Sequence, residues 1–234
     1  MPSVSIVLPC YMPPAGWAGN IARNHKELEE LLATKVEVIL VRDGNNQNIQ
    51  DADVQFLRNK IHNLQFVAYE QNRGKGFAIR EGVRKASGEI IIYTDIDLPY
   101  DNQSIARIYE VLKTNSAEIA IGVKDENYYK QVVRSRRVIS RVLRWLTKFF
   151  LSVPITDTQC GLKGFRKDIR QIFLATTINR YLFDLEFIRN SARLGRKLEA
   201  VPVTLNHDIR INRINYRILL PELYNFLKVL LSRQ

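Results

Sequence analysis

Four short runs dense in β-branched and aromatic residues constrain this chain more than anything else in it: "SVSIVLPCY" (3–11), "KVEVILVRDGN" (35–45), "LQFVAYE" (64–70) and "EIIIYTDI" (89–96). Between them lie "NIARNHKELEELLA" (20–33), "DVQFLRNKI" (53–61) and "GKGFAIREGVRKAS" (74–87), whose apolar residues recur at helical spacing. Near-continuous apolar strands alternating with helices predict an α/β fold with a mostly parallel sheet, covered by helices on both faces. With 234 residues and 46% hydrophobic content the chain has enough for one such domain and too little for two.

Ligands of such sheets collect at the carboxyl ends of the strands. Three polar stretches fall there: Asp43 with its turn signal Gly44-Asn45, the segment from Asn72 to Gly76, and Asp95 to Asp97. They are expected to converge on one crevice. The second half reads as helix at 102–114, strand at 117–124 and a long helix at 131–153. A glycine-containing loop running into a helix follows at 157–176, then helix at 184–195, strand at 197–205, and an amphipathic helix over 213–234 interrupted near Pro221.

Asp95 and Asp97 end a buried strand on two like charges. On an extended chain they project from one face, where repulsion raises one pKa. A divalent cation removes that penalty. Hard oxygen ligands suit Mg²⁺ or Mn²⁺, and Mg²⁺ commonly takes one or two carboxylates together with substrate phosphates. Asp-x-Asp alone also describes many solvated acidic turns, so its surroundings must decide. "NRGKG" (72–76) lacks the spacing of a P-loop. Its glycines fit either close approach to a nucleotide or an ordinary strand-to-helix turn, and Lys75 is a candidate to neutralise a diphosphate. His25, His62 and His207 form no ligand spacing.

Taken in order, "SIVLPCY", "VEVILVRDG", "NRGKGFAIREGVRKASGEIIIYTDIDL" (72–98), "TDTQCGLKGF" (156–165) and "YLFDLEFIRNSARLGRKLEAVPV" (181–203) resemble the nucleotide-sugar glycosyltransferases of family 2. The last two stretches are most similar to the branch holding dolichyl-phosphate glucosyltransferase and dolichyl-phosphate mannose synthase. The resemblance implies a Rossmann-like A-type fold, with residues 1–206 as one catalytic domain: a nucleotide-binding half (1–100) and an acceptor half (101–206). It also implies inverting transfer of a hexose from a UDP or GDP sugar, with Mg²⁺ or Mn²⁺ as cofactor, to a polyprenyl phosphate or a saccharide. Asp97 then takes the place of the metal ligand, and Asp95 shares the metal or the ribose. Asp43 accepts a hydrogen bond from the nucleobase, and Pro9 and Tyr11 border the same pocket. Asp157, by itself also a helix cap, takes an acceptor-side catalytic place. Asp184 and Glu186 are two apart on a helix and do not share a face, and Asp184 is preferred. The chain departs from the family where the first strand usually ends in Tyr-Asn-Glu: here Tyr11 is followed by Met12, Pro13 and Pro14, which leaves the base undecided.

A net charge of +11 calls for an anionic partner. In 131–153, Arg137, Arg141, Arg144 and Lys148 recur at three- and four-residue steps beside an apolar face, and no acid occurs between Asn127 and Thr156. The 207–234 tail is basic as well, and Trp145, Phe149, Tyr224 and Phe226 are interleaved with these cations. Such a pattern fits the surface of an anionic membrane. Arg134, Arg136 and Arg137 are candidates for an acceptor phosphate, because guanidinium forks match phosphate oxygens. No apolar run reaches the ~18 residues of a spanning helix, so the expected place is peripheral, at the cytoplasmic face. Rival readings are a transferase acting on a saccharide hydroxyl, a sugar nucleotidyltransferase and a basic nucleic-acid-binding module. The glycine-rich signature of the second is missing from "PCYMPPAGWAGN" (9–20), and no nucleic-acid motif supports the third.

Overall fold

The computed structural model of the chain describes residues 3–45, 48–124, 160–206, 222, 225, 226, 228 and 229. The four apolar runs form β1 (Val4–Cys10), β2 (Val36–Asp43), β3 (Leu64–Tyr69) and β4 (Ile90–Tyr93). The crossovers between them carry α1 (Trp17–Leu32), α2 (Asp51–Lys60) and α3 (Lys75–Lys85). After β4 come α4 (Asn102–Lys113), β5 (Ile119–Lys124), β6 (Lys163–Arg166), a 3-10 turn over Lys167–Ile169, α5 (Arg170–Leu174), α6 (Phe183–Arg193) and β7 (Leu198–Val203).

One sheet holds the seven described strands in the order β3-β2-β1-β4-β6-β5-β7. β1 pairs in parallel with β2 from Val4↔Val36 to Cys10↔Arg42, and on its other side with β4 from Val4↔Ile90 to Val7↔Tyr93. The chain therefore reverses its direction of travel across the sheet at the β1/β4 junction. A parallel sheet opens its ligand crevice at that kind of junction, beyond the carboxyl ends of the strands.

β6 corrects the reading of 157–176. Residues 163–166 are a strand between β4 and β5, antiparallel to both, and no part of a loop entering a helix. Four residues, KGFR, show neither alternation nor an apolar run, although Lys163, Gly164 and Phe165 are all buried.

Both faces of the sheet are covered, as the continuous apolar strands demand. Ile6 and Leu8 of β1 pack with Ile21 and Leu28 of α1, Leu57 of α2 and Ile108 of α4. Their neighbour Val7 faces the other way, with Ile79 and Val83 of α3 and Phe173, Phe183 and Phe187 beyond. At roughly 1.5–3 kcal/mol for each aliphatic side chain taken fully from water, a strand buried on both faces contributes about twice what a half-exposed one does. Phe226 and Val229 complete the second core, at 7% and 2% exposure. Phe226, expected among aromatics at a membrane interface, is thus a core residue. The segment 131–153 and most of 207–234 lie outside the described residues.

At the amino ends of the strands, away from the crevice, Glu37 is buried in a polar knot. Its carboxylate accepts from Ser5 Oγ, from Gln65 Nε2 at 2.6 Å, and from the Ser87 amide and hydroxyl at 2.9 Å each. Burial alone raises its pKa, but the four donors outweigh burial and hold it below the ordinary 4.5. A depressed carboxyl pKa contributes stability that is complete above the unfolded value and is lost as pH falls through the folded one. Glu37→Gln is therefore expected to lower the urea midpoint at pH 7 and to flatten its fall below pH ~4.5. Parallel pH profiles for the two proteins would refute this.

Candidate active site

Beyond β4 the chain turns at Thr94-Asp95, with the Leu98 amide donating to the Asp95 carbonyl at 3.0 Å. Lys75, the first residue of α3, reaches across so that Nζ lies 2.5 Å from Asp95 Oδ1. From the third side comes Gly161: a Cβ there would stand 2.5 Å from Asp95 Oδ2, so any larger residue would make the Asp95 carboxylate shift. Burial disfavours the Lys75 ammonium, but Asp95 and then Asp184 outweigh it and raise its pKa above the lysine range. Asp97 stays in contact with solvent. Even so, the protein around its carboxylate raises its pKa, and the charge of Asp95 raises it further.

Asp43, at the end of β2, is 3% exposed. Its Oδ1 accepts the Arg73 amide at 2.7 Å and its Oδ2 the Gly74 amide at 3.0 Å. Asp43 and the 72–76 segment do meet, and both oxygens of the expected nucleobase acceptor are engaged by the protein's own chain. Gly74 has φ +98°, and a Cβ on it would stand 2.6 Å from the Asn179 carbonyl. That carbonyl accepts the Gly76 and Phe77 amides at 2.8 and 3.2 Å. These first-turn amides, which a phosphate-binding helix would aim at an anion, are spent on the 176–182 segment. The close approach that the glycines permit is to protein. Pro9 is half-buried opposite Val41, and Tyr11, just past β1, is 52% exposed.

Below Lys75 lies a group that the sequence reading missed. Lys163 of β6 is 0% exposed, and its Nζ lies 2.7 Å from Asp184 Oδ2 and donates to the Cys160 carbonyl. The Tyr93 hydroxyl, at the end of β4, donates to Asp184 Oδ1 at 2.5 Å. Both oxygens of Asp184 are bonded from beneath, and it faces Lys75 from within the fold. Glu186 turns to the other side of α6 and accepts from Thr177 and Ile178 amides. The one available signal was a lysine set between Leu162 and Phe165, visible only to a reader who already expects a strand there. Asp157, Arg134, Arg136 and Arg137 lie outside the described residues.

The donor set fits a hard divalent cation. Asp95 and Asp97 offer carboxylate oxygens whose mutual repulsion such a cation would relieve. Among the described residues no cluster of three or more His, Cys, Asp or Glu gathers. Cys10 and Cys160 are buried free thiols, and burial first, then Asp53, pushes Cys10 up to about 12, far from a metal-binding thiolate.

Comparison with known proteins places these features. Residues 5–173 match the model of Glycosyl transferase family 2. A dolichyl-phosphate beta-glucosyltransferase of Saccharomyces cerevisiae is 26% identical over 220 residues, covering 86% of this chain and 66% of that protein. Another from Trichomonas vaginalis is 27% identical over 175 residues, 73% of this chain and 54% of that protein. The chain thus spans between about half and two thirds of the length of these curated relatives. Among solved structures, mannosyl-3-phosphoglycerate synthase from Rubrobacter xylanophilus superposes with a TM-score of 0.68 at 16% identity, over 98% of this chain and 73% of that one. Glucosyl-3-phosphoglycerate synthase from Mycobacterium tuberculosis, in complex with Mn²⁺ and UDP, gives 0.61 at 18%, over 99% and 80%. With a mostly parallel sheet doubly covered by helices and an Asp-x-Asp turn at its β1/β4 junction, the chain has the A-type fold and belongs to glycosyl transferase family 2.

Proposed function

We propose that the protein transfers a hexose, with inversion, from a nucleoside diphosphate sugar to a polyprenyl phosphate. The observation that carries this is the Asp95-Asp97 turn at the β1/β4 junction with the Lys75 ammonium held against it. Asp97, with Asp95, would hold Mg²⁺ or Mn²⁺, which when bound supplies neutralisation of the charge developing on the departing diphosphate. Lys75 supplies a further positive charge on the same side. Pro9, Tyr11 and the loop fixed by Asp43 border the nucleotide. The relatives named as dolichyl-phosphate glucosyltransferases support a lipid phosphate as acceptor. So does Asp184, whose two oxygens are both engaged by donors of the protein, Tyr93 and Lys163. A phosphate monoester, with its second pKa near 6, already presents an ionised oxygen at neutral pH and needs no base.

In this reading Arg134, Arg136 and Arg137 receive the acceptor phosphate. The basic segment 131–153 and the cations of the 207–234 tail rest on an anionic leaflet at the cytoplasmic face, beside a catalytic unit of residues 1–206, while Phe226 and Val229 of the tail pack in the second core. No helix among the described residues is long and apolar enough to cross a membrane. Asp157→Asn should cost far less than the 10²–10⁴-fold expected of a general base, since here it positions the acceptor. A larger loss, with donor and acceptor binding intact, would instead favour transfer to a saccharide hydroxyl. The direct test is calorimetry of UDP, GDP and their hexose conjugates with and without Mn²⁺, followed by turnover with a polyprenyl phosphate. Metal-dependent preference for one nucleotide with transfer to the lipid is expected, and transfer to saccharides alone would overturn the acceptor.

A further inference from the structure

The connection 176–182, between α5 and α6, is held from several sides. Arg80 of α3 is 5% exposed, and its guanidinium donates to the Ile178 carbonyl at 2.7 Å, to Thr176 Oγ1 at 3.2 Å and to the Asn179 side chain. From α6, Glu186 accepts the Thr177 amide at 2.9 Å, the Thr177 hydroxyl at 3.0 Å and the Ile178 amide at 2.9 Å. Asn179 is tied to the first turn of α3 as described, and Glu222 accepts the Leu182 amide at 3.2 Å while lying 3.6 Å from Arg180 Nε. Surface connections ordinarily satisfy their backbone with water and move. A buried arginine devoted to one loop costs desolvation, which here lowers the Arg80 pKa, and is tolerated because its donors are used. The outcome is a rigid mount.

What the mount presents is Tyr181, 53% exposed and three residues before Asp184. The adjacent Arg180 packs over Gly74, its Cγ 3.6 Å from where a Gly74 Cβ would stand, which sets the loop beside Lys75. The Asn179 carbonyl on the Gly76 and Phe77 amides fixes the same side of the loop to the residues that follow Lys75. A large aromatic ring left in solvent adds nothing to the core, whereas a rigidly held one loses little freedom when a ligand packs on it. Tyr11, the other large exposed tyrosine among the described residues, lies just past β1.

We propose that Tyr181 is a specificity-determining residue that packs its ring on the pyranose of the donor, while the charged groups below hold the diphosphate. The inference rests on reading the crevice as a nucleotide-sugar site, and one set of titrations separates the two. Calorimetry with Mn²⁺ compares UDP with UDP-glucose, and GDP with GDP-mannose, on the full chain and its variants. Tyr181→Ala is expected to leave the diphosphate affinity within about twofold and to lower that of the sugar conjugate by about fivefold, while Tyr181→Phe keeps both. Equal losses on diphosphate and conjugate, or no loss on the conjugate, overturn the role of Tyr181. A wild-type protein that binds neither nucleotide overturns the reading of the site itself. Arg80→Met keeps Tyr181 but frees its mount, so trypsin should cut at Arg180 and the conjugate should lose affinity as it does in Tyr181→Ala. Resistance to trypsin together with unchanged conjugate affinity would show that the mount is not needed. If Arg80→Met does not fold, the two Tyr181 variants still decide.

Discussion

Lys163→Met is expected to destabilise the folded protein by about 3–5 kcal/mol, the usual cost of breaking a buried ion pair from one side. Lys163 has no solvent contact, and its ammonium joins Asp184 at 2.7 Å to the Cys160 carbonyl. Without it the Asp184 carboxylate keeps, among the described residues, only the Tyr93 hydroxyl as hydrogen-bond donor, in a place water scarcely reaches. The second half of the experiment removes both charges. Lys163→Met with Asp184→Leu should recover most of the loss, because an apolar pair of similar volume needs no desolvation. Recovery should be incomplete by about 1–3 kcal/mol while the Tyr93 hydroxyl lacks an acceptor, and adding Tyr93→Phe should remove that remainder. Urea unfolding of the series measures all three steps. A loss below about 1 kcal/mol in the single variant would mean that the pair behaves like an exposed one, with Lys75 taking over as partner of Asp184.

Asp97→Asn should weaken Mn²⁺-dependent binding of the preferred nucleoside diphosphate at least tenfold, or about 1.4 kcal/mol. The change keeps size and removes charge, and it acts on two quantities of opposite sign. It takes a hard ligand from the cation, and it also relieves the repulsion with Asp95 that raises the Asp97 pKa. Relief of repulsion does not depend on metal. The decisive number is therefore the ratio of affinities with and without Mn²⁺, which should collapse toward one in the variant. A ratio equal to that of the wild type would remove Asp97 from the metal site.

The parts of this molecule that could be read from its sequence are those whose burial is continuous. β1, β2 and β4 are buried on both faces, so they appear as apolar runs, while the edge strand β3 is only partly buried and was legible from its β-branched and aromatic residues; a parallel sheet then obliges Asp43, the 72–76 segment and Asp95 to meet. β6 could not be read that way. Its buried lysine is compatible with a core strand only through Asp184, and that partner is known only once α6 has been packed against the sheet. Phe226 shows a different difficulty. An amphipathic segment carries the same periodicity whether its apolar face meets lipid or the back of a sheet, and at Phe226 and Val229 burial against the second core decides for the sheet. The glycines at 74 and 76 were legible as sites of close approach, but what approaches them are the Asn179 and Ile178 carbonyls, distant in the chain.

The insertion of β6 between β4 and β5 also governs how this chain must assemble. β3, β2, β1 and β4 can pair as soon as Tyr93 has been made, through parallel units whose helices are already present. The outer edge of β4, Ile90-Ile91-Ile92-Tyr93, then waits without a partner until Lys163–Arg166 arrives from far along the chain. A bare apolar edge is a template for any passing strand, including the same strand of another molecule. Closing so long a loop before any pairing rewards it is slow. The hazard of aggregation during synthesis is therefore concentrated in that interval, and a chain shortened before residue 163 would carry it permanently.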